Sequence, residues 1–362
     1  MIAVLPGDGI GPEVIREAVA GMDAAACALG LELTFEQFPC GAAQYQRTGR
    51  QWSRGALRAC RRAEAVLFGA VGLPGVTLDD GRAAGADVLF GLRQGLYANV
   101  RPVKLLPGVK NLLGGRPSGA WRPEDVNLVV VRENTEGLYA PFAPLLPKGP
   151  EARDVRTITL SASRRIIRHA FSLAAARNKR VTCVDKSNLL AGCVLFSQAF
   201  QDIATRHPQV KTDHLFIDAA MPALLRNPAA YDVLVTTNLF GDILSDLASV
   251  LGGGLGTAPS ANLGTKRGMF EPVHGSAPDI AGKDTANPVG AVLSGAMLLE
   301  WLSRKGEWRY QVAGSLLEQA VRDVTSRGIC TPDIGGTARC SEVGAAIVES
   351  VAANAKKMRD AR

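Results

Sequence analysis

The sequence predicts an α/β fold with a substantially parallel sheet. Apolar, strand-like runs alternate with stretches of helical periodicity, and the first of these runs passes through a glycine-rich turn directly into a helix. That opening is IAVL (residues 2–5), then Pro-Gly-Asp-Gly-Ile-Gly-Pro, then a helical stretch from Glu13 in which Val14, Ile15, Ala18 and Val19 fall on one face. Further strand-like runs are AVLFGA (65–70), VNLVVV (126–131), RVTCV (180–184) and YDVLVTTN (231–238), with a helical stretch at 161–176. The segment LGGGLGTAPSANLG (251–264) is too rich in glycine to sustain a regular element and reads as a boundary or hinge. The apolar run at 289–299 is too short to span a bilayer and reads as a core helix or a subunit contact.

Composition narrows the function. At 362 residues, 47% hydrophobic and 21% charged, the chain is long enough for about two domains, and no apolar run reaches the roughly 18 residues of a membrane span. Pro6, Gly7 and Asp8 interrupt the place where a secretory signal needs its apolar stretch. Seven cysteines without a CxxC pair suit a reducing compartment, so a cytoplasmic protein is expected. The net charge of +7 is spread over dispersed basic residues without interleaved aromatics, which argues against nucleic acid and leaves room for a small anionic substrate.

Four constellations carry chemistry. In NLFGDILSDLAS (238–249), Asp242 and Asp246 stand four apart, on one face of a helix; two hard oxygen donors there suit Mg²⁺ or Mn²⁺, and a solvated helix face or an N-cap is the plain alternative. Asp218, at the end of the strand-like HLFID, is a third candidate ligand. Arg93, Arg101 and Arg132 lie near apolar segments and offer planar forks for a polyanion, or else surface salt bridges. Tyr139 and Lys186 supply a phenol and an ammonium able to move protons if desolvated. In FEPVHGSAPDIAGKDTANP (270–288), His274, Gly275, Ser276 and Ala277 permit close backbone approach. Asp279 and Asn287 act there as polar readers, and an Asp on the ribose would favour NAD over NADP. The opening GDGIGPE, by contrast, lacks the third glycine of a dinucleotide fingerprint and reads equally as a structural turn.

Together the blocks LPGDGIGPEV, YANVRPVK, VRENTEGLY, VDKSN, TTNLFGDILSDLASVLGGGLGTAPSAN, EPVHGSAPDIAGKDTANP and TPDIGGTA resemble, in order, the metal-dependent β-decarboxylating dehydrogenases: isocitrate, homoisocitrate, 3-isopropylmalate and tartrate/D-malate dehydrogenases. The resemblance implies an isopropylmalate-dehydrogenase-like open sheet in two domains with the active-site cleft between them. A large NAD-binding domain would comprise residues 1–98 and 252–362, and a small one residues 99–251. It further implies a homodimer with shared active sites, in which Arg93, Arg101 and Arg132 hold the carboxylates of a 3-substituted malate. Asp242 and Asp246 would bind the metal, with Lys186 and Asp218 contributed by the partner. Tyr139 would be the proton donor and Lys186 the base, and the loop from His274 to Asn287 would hold NAD through Asp279, which Ile280 follows. Leu89 and Phe90 occupy the substrate-selecting region, where apolar side chains prefer an apolar or absent 3-substituent.

Glu136 in ENTEG is similar to the isocitrate, homoisocitrate and tartrate/malate members rather than the ELTGG of leucine-pathway enzymes, so the sequence favours the former group, with 3-isopropylmalate as the alternative substrate. A noncatalytic regulatory subunit of the same fold is the rival of another class. Retention of Tyr139, Lys186, Asp218, Asp242 and Asp246 together speaks for the enzyme.

Overall fold

The computed structural model describes residues 1–110, 121–139 and 149–360. Among the described residues ten strands form one sheet: β1 (Ile2–Gly7), β2 (Phe35–Gln37), β3 (Ala65–Ala70), β4 (Ala98–Lys104), β5 (Asn127–Glu133), β6 (Arg180–Asp185), β7 (Lys211–Phe216), β8 (Val233–Thr236), β9 (Pro259–Leu263) and β10 (Gly268–Pro272). The helices are α1 (Gly11–Cys27), α2 (Ala42–Thr48), α3 (Ala56–Arg62), α4 (Ala86–Arg93), α5 (Leu160–Ala175), α6 (Ala191–Ala204), α7 (Ile217–Arg226), α8 (Asn238–Ser249), α9 (Val289–Ser303), α10 (Arg309–Ser326) and α11 (Cys340–Asp360).

The strand order is β2-β1-β3-β10-β9-β4-β5-β8-β6-β7. Strands β2, β1, β3 and β10 are mutually parallel, as are β5, β8, β6 and β7. Between these blocks the pairs β10–β9, β9–β4 and β4–β5 are antiparallel, so the blocks run in opposite directions. The expected parallel sheet is therefore two parallel blocks joined by a reversing centre. Long apolar runs marked β1, β3, β5, β6 and β8, whereas β9 and β10 are short and polar-studded and lie inside the glycine-rich stretch and just beyond it. That stretch also carries two 3₁₀ turns, at Val250–Gly252 and Leu255–Thr257, and then β9, so regular structure persists where none was expected.

Alternation along each strand explains the unbroken apolar runs. Ile2 and Val4 of β1 enter one core while Ala3 and Leu5 enter another; Val129 and Val131 of β5 pack apart from Leu128 and Val130. A strand buried on both faces needs apolar residues at every position. Helix α9, the apolar run at 289–299, is a core helix whose residues pack with β1, β3 and β10.

The GDGIGP turn is structural. Asp8, 2% exposed, accepts the backbone N–H groups of Ala42 (2.7 Å), Ala43 (2.9 Å) and Gly72 (2.8 Å), tying the end of β1 to the start of α2 and to the segment after β3. Gly41 has φ +101°, and a β-carbon there would lie 2.3 Å from an Asp8 oxygen, so only glycine allows the approach. Asp8→Ala leaves three donors without their acceptor and is expected to cost about 3 kcal/mol or more in denaturant unfolding. A loss below about 1 kcal/mol would show that the turn is not held this way.

Candidate active site

Helix α8 lies so close to β5 that a β-carbon at Gly241 would come within 2.6 Å of the Arg132 side chain. Arg132, 1% exposed, donates Nε and Nη2 to Asn238 Oδ1 at 2.9 and 2.7 Å, and Nη1 to Asp242. Asn238 in turn donates to the Glu136 carbonyl at 2.8 Å, so the first residue of α8 aims the guanidinium. From β4, Arg101 donates Nη1 to Ser245 Oγ and to Asp246 Oδ1, each at 2.7 Å, and Nη2 to Asp242 Oδ1 at 3.2 Å. Tyr139 donates its hydroxyl to Asp242 Oδ2 at 2.8 Å. The four-residue spacing thus aims Asp242 and Asp246 at one arginine, and three of the sequence-derived groups meet on Asp242.

Electrostatics follow the burial. Desolvation lowers the Arg132 pKa to about 10 against the opposing charge of Asp242, which leaves it a cation at neutral pH. Burial alone would raise the Asp242 carboxyl, but the charges of Arg132 and Arg101 outweigh it and hold the group below its ordinary range. The Tyr139 phenol is raised to about 12, by burial first and then by its hydrogen bond to Asp242.

Arg93, at the end of α4, donates to Glu271 Oε1 of β10 at 2.8 Å. Glu271 also accepts from Asn262 Nδ2 of β9 at 2.7 Å, and Asn262 Oδ1 accepts from Asn99 of β4 and from Asn134, both at 3.0 Å. This polar seam runs across the reversing centre of the sheet, and the sequence reading did not single it out. Its signal was present: Asn99 and Glu271 are polar residues inside the strand-forming blocks YANVRPVK and FEPVHG.

One cleft is lined by Leu89, Arg93, Arg101, Glu271, His274 and Gly275, with Phe68, Val71, Pro272 and Val273 adding apolar wall. Leu89 reaches it; Phe90, its expected companion, is not among the lining residues. Among the described residues Arg93 Nε, Arg101 Nε and His274 Nε2 are buried without a hydrogen-bond partner, three polar atoms of one cleft that a polar ligand would satisfy. Burial lowers the His274 pKa, so its imidazole is neutral at neutral pH, and its Nδ1 lies 2.9 Å from the Gly275 carbonyl oxygen.

The loop beyond is braced rather than free. The Ser276 carbonyl accepts Ile10 N–H at 2.8 Å, and a β-carbon at Gly9 would lie 1.8 Å from that oxygen, so the opening motif supports the loop. Ala277 adopts φ +36°, and together with Ile280 packs on the core, while Asp279 is exposed. Asn287, 5% exposed, donates to Asp333 Oδ2 at 3.0 Å and accepts Val289 N–H at 3.0 Å. Asp333 belongs to the TPDIGG block, whose part in this loop was not foreseen.

Lys186 stands just past β6, and Asp218 in the first turn of α7 rather than on a strand. The two form their own ion pair, Nζ to Oδ1 at 2.6 Å, in which the Lys186 ammonium holds the Asp218 carboxyl below its ordinary range. Among the described residues neither makes a hydrogen bond or ion pair with Asp242, Asp246 or the three arginines. The Glu136 carboxylate accepts the backbone N–H and the hydroxyl of Thr159, both at 2.8 Å, and Thr159 caps α5.

Residues 1–347 match the family model described as isocitrate/isopropylmalate dehydrogenase. The chain is 42% identical, over 92% of its length and 90% of the relative's, to 3-isopropylmalate dehydrogenase of Heyndrickxia coagulans. It is 40% identical, over 97% and 98%, to 3-isopropylmalate/3-methylmalate dehydrogenase of Methanocaldococcus jannaschii. Among solved structures, isocitrate dehydrogenase from Methylococcus capsulatus superposes with a TM-score of 0.84 at 37% identity, covering 97% of this chain and 99% of that one. Fold, site and relatives together define an enzyme of the NAD-dependent β-decarboxylating dehydrogenase class. The chain belongs to the isocitrate/isopropylmalate dehydrogenase family.

The Tyr139 environment has a spectroscopic consequence. In metal-free protein, the difference in phenolate absorbance between the unmutated chain and Tyr139→Phe should titrate near pH 12. A difference titrating near the ordinary value of about 10 would break the link to Asp242.

Proposed function

We propose that the protein oxidises a malate with an apolar 3-substituent, 3-isopropylmalate first, with NAD as hydride acceptor and Mg²⁺ or Mn²⁺ as cofactor, releasing the β-carboxylate as CO₂. The observation that carries this reading is the cleft lining, where Leu89, Phe68 and Val71 stand beside Arg93 and Arg101. Apolar walls favour an alkyl group, and the third carboxylate of isocitrate or homoisocitrate would lose hydration against them. Names of the relatives point the same way, although one structural neighbour is named an isocitrate dehydrogenase. The ENTEG motif around Glu136 favours the isocitrate and homoisocitrate group, whereas the sequence relatives are named 3-isopropylmalate dehydrogenase.

In this reading Arg93, Arg101 and Arg132 bind the substrate carboxylates, with the unpaired Nε atoms of Arg93 and Arg101 available for it. Asp242 and Asp246, joined by Asp218 from a second copy, offer the hard oxygen donors that a divalent ion prefers. Bound there, the ion would polarise the C2 hydroxyl. Lys186 of the second copy, once it has given up its own ammonium proton to solvent, takes the hydroxyl proton as a neutral amine, and Tyr139, which its raised pKa keeps protonated, returns one to carbon. The loop from His274 to Asn287 holds NAD, His274 Nε2 being a buried atom in want of a partner and Asp279 facing the ribose.

A homodimer is supported by the distribution of exposed large apolar side chains. Tyr139, Val155, Leu160, Leu189, Leu190, Val194, Ile243 and Leu255 all lie within residues 139–255, whereas only Trp308 lies elsewhere among the described residues. The apolar clusters also support two domains, 1–98 with 252–362 and 99–251, because each cluster draws nearly all its members from one of them. Among the described residues no helix is long and apolar enough to cross a membrane.

NAD reduction with Mn²⁺ across 3-isopropylmalate, 3-methylmalate, D-malate, tartrate, isocitrate and homoisocitrate tests the substrate. The 3-alkylmalates should rank first, and an isocitrate or homoisocitrate preference would overturn the reading. With the best substrate, kcat/KM for NAD should exceed that for NADP by about a hundredfold, a difference of nearly 3 kcal/mol. Equal efficiency with NADP would remove the ribose role of Asp279.

A further inference from the structure

Next to the Lys186–Asp218 pair along β6 and β7 stands a group of side chains that no step above uses, of which Cys183 and Asp185 are buried and His214 is exposed. Strands β6 and β7 pair in parallel, with Cys183 opposite His214 and Asp185 opposite Phe216, so these four residues share one face of the sheet. Asp185 is fully buried. Its Oδ1 accepts Ser187 N–H at 2.9 Å and lies 2.9 Å from His214 Nε2, which therefore carries the proton and donates it. Among the described residues its Oδ2 has only the weak donor Cys183 Sγ, at 4.0 Å.

We propose that Asp185 and His214 form a positioning pair that fixes Lys186 against Asp218. This rests on the proton-transfer role given to Lys186 above. The Asp185–Ser187 contact is an Asx turn with Lys186 at its apex, so it sets the direction in which the ammonium leaves the strand. A neutral Asn makes that turn equally well, so a buried negative charge is not needed for it. What the carboxylate adds is a charge-assisted bond to β7, the strand that runs directly into α7 and its Asp218. One carboxylate thus ties the turn bearing Lys186 to the strand leading to Asp218, and the 2.6 Å ion pair spans the two ends of that brace. Phe216 completes the face: His214 meets its ring edge-on at 5.3 Å, and Lys186 Nζ lies 5.7 Å from its centroid. Neither Asp185 nor His214 makes a hydrogen bond or ion pair with Lys186, Asp218 or the residues of the cleft, so they act through geometry.

The test compares the full-length protein with His214→Phe, which removes the donor, and His214→Gln, which restores an N–H. Two readouts are used. In turnover of 3-isopropylmalate deuterated at C2, His214→Phe should lower kcat by roughly tenfold to a hundredfold, the cost of misplacing a reacting group, with KM changed little and the isotope effect on kcat increased. His214→Gln should recover most of the rate. In hydrogen exchange, His214→Phe should speed the amides of residues 187–190 and leave those of 181–184 unchanged. An unchanged kcat and isotope effect, or exchange quickened uniformly through β6 and β7, would overturn the positioning role. If the unmutated protein turned over no 3-alkylmalate, the substrate reading would fall, and the exchange measurement would still decide whether His214 holds the turn.

Discussion

A guanidinium taken out of water must be answered by a carboxylate or by several good acceptors, and the structure has three such groups within one site. Arg132 is 1% exposed, and the side chains of Arg101 and Arg93 are 8% and 15% exposed. Their acceptors come from separate parts of the chain. Asn238 and Asp242 on α8 meet Arg132, Asp242 and Asp246 meet Arg101, and Glu271 on β10 meets Arg93. This requirement accounts for the close crossing of α8 over β5 at Gly241 and for the polar residues placed on β9, β4 and β10.

Much of this was legible from residue pattern. AVLFGA is β3 to the residue, the helical stretch at 161–176 is α5 shifted by one residue at each end, and the apolar run from Val289 is α9. Strong patterns come from burial on both faces, which leaves an unbroken apolar signal. The reading faltered where structure is held by polar contacts instead. β9 and β10 carry Ser260, Asn262 and Glu271, and nothing in a hydropathy pattern marks them as central strands. YDVLVTTN was read as one strand, yet β8 ends at Thr236 and Asn238 already opens α8, because its side chain is needed on Arg132.

At the site, the residue types were legible and their partners were not. Spacing put Asp242 and Asp246 on one helix face, but only the fold reveals Arg101 reaching both. Glu136 reads as a specificity marker in sequence because it varies in type among family motifs, whereas its contacts are with the cap of α5. Asp185 and His214 are separated by 28 intervening positions and meet through strand pairing alone, information that no local pattern contains.

The arrangement of charge in the cleft has one more consequence. Three guanidiniums, on Arg93, Arg101 and Arg132, face three carboxylates, on Glu271, Asp242 and Asp246, so the chain by itself closes its own local balance. A malate with an alkyl substituent is a dianion at neutral pH, and a divalent cation cancels it. The two arriving together are an electroneutral cargo: each substrate carboxylate that draws an arginine away releases an aspartate to the cation. Arriving alone, either would leave like charges facing one another in a partly desolvated space. Substrate and ion should therefore raise each other's affinity by the same factor, a reciprocity that thermodynamic linkage imposes on any such exchange of partners.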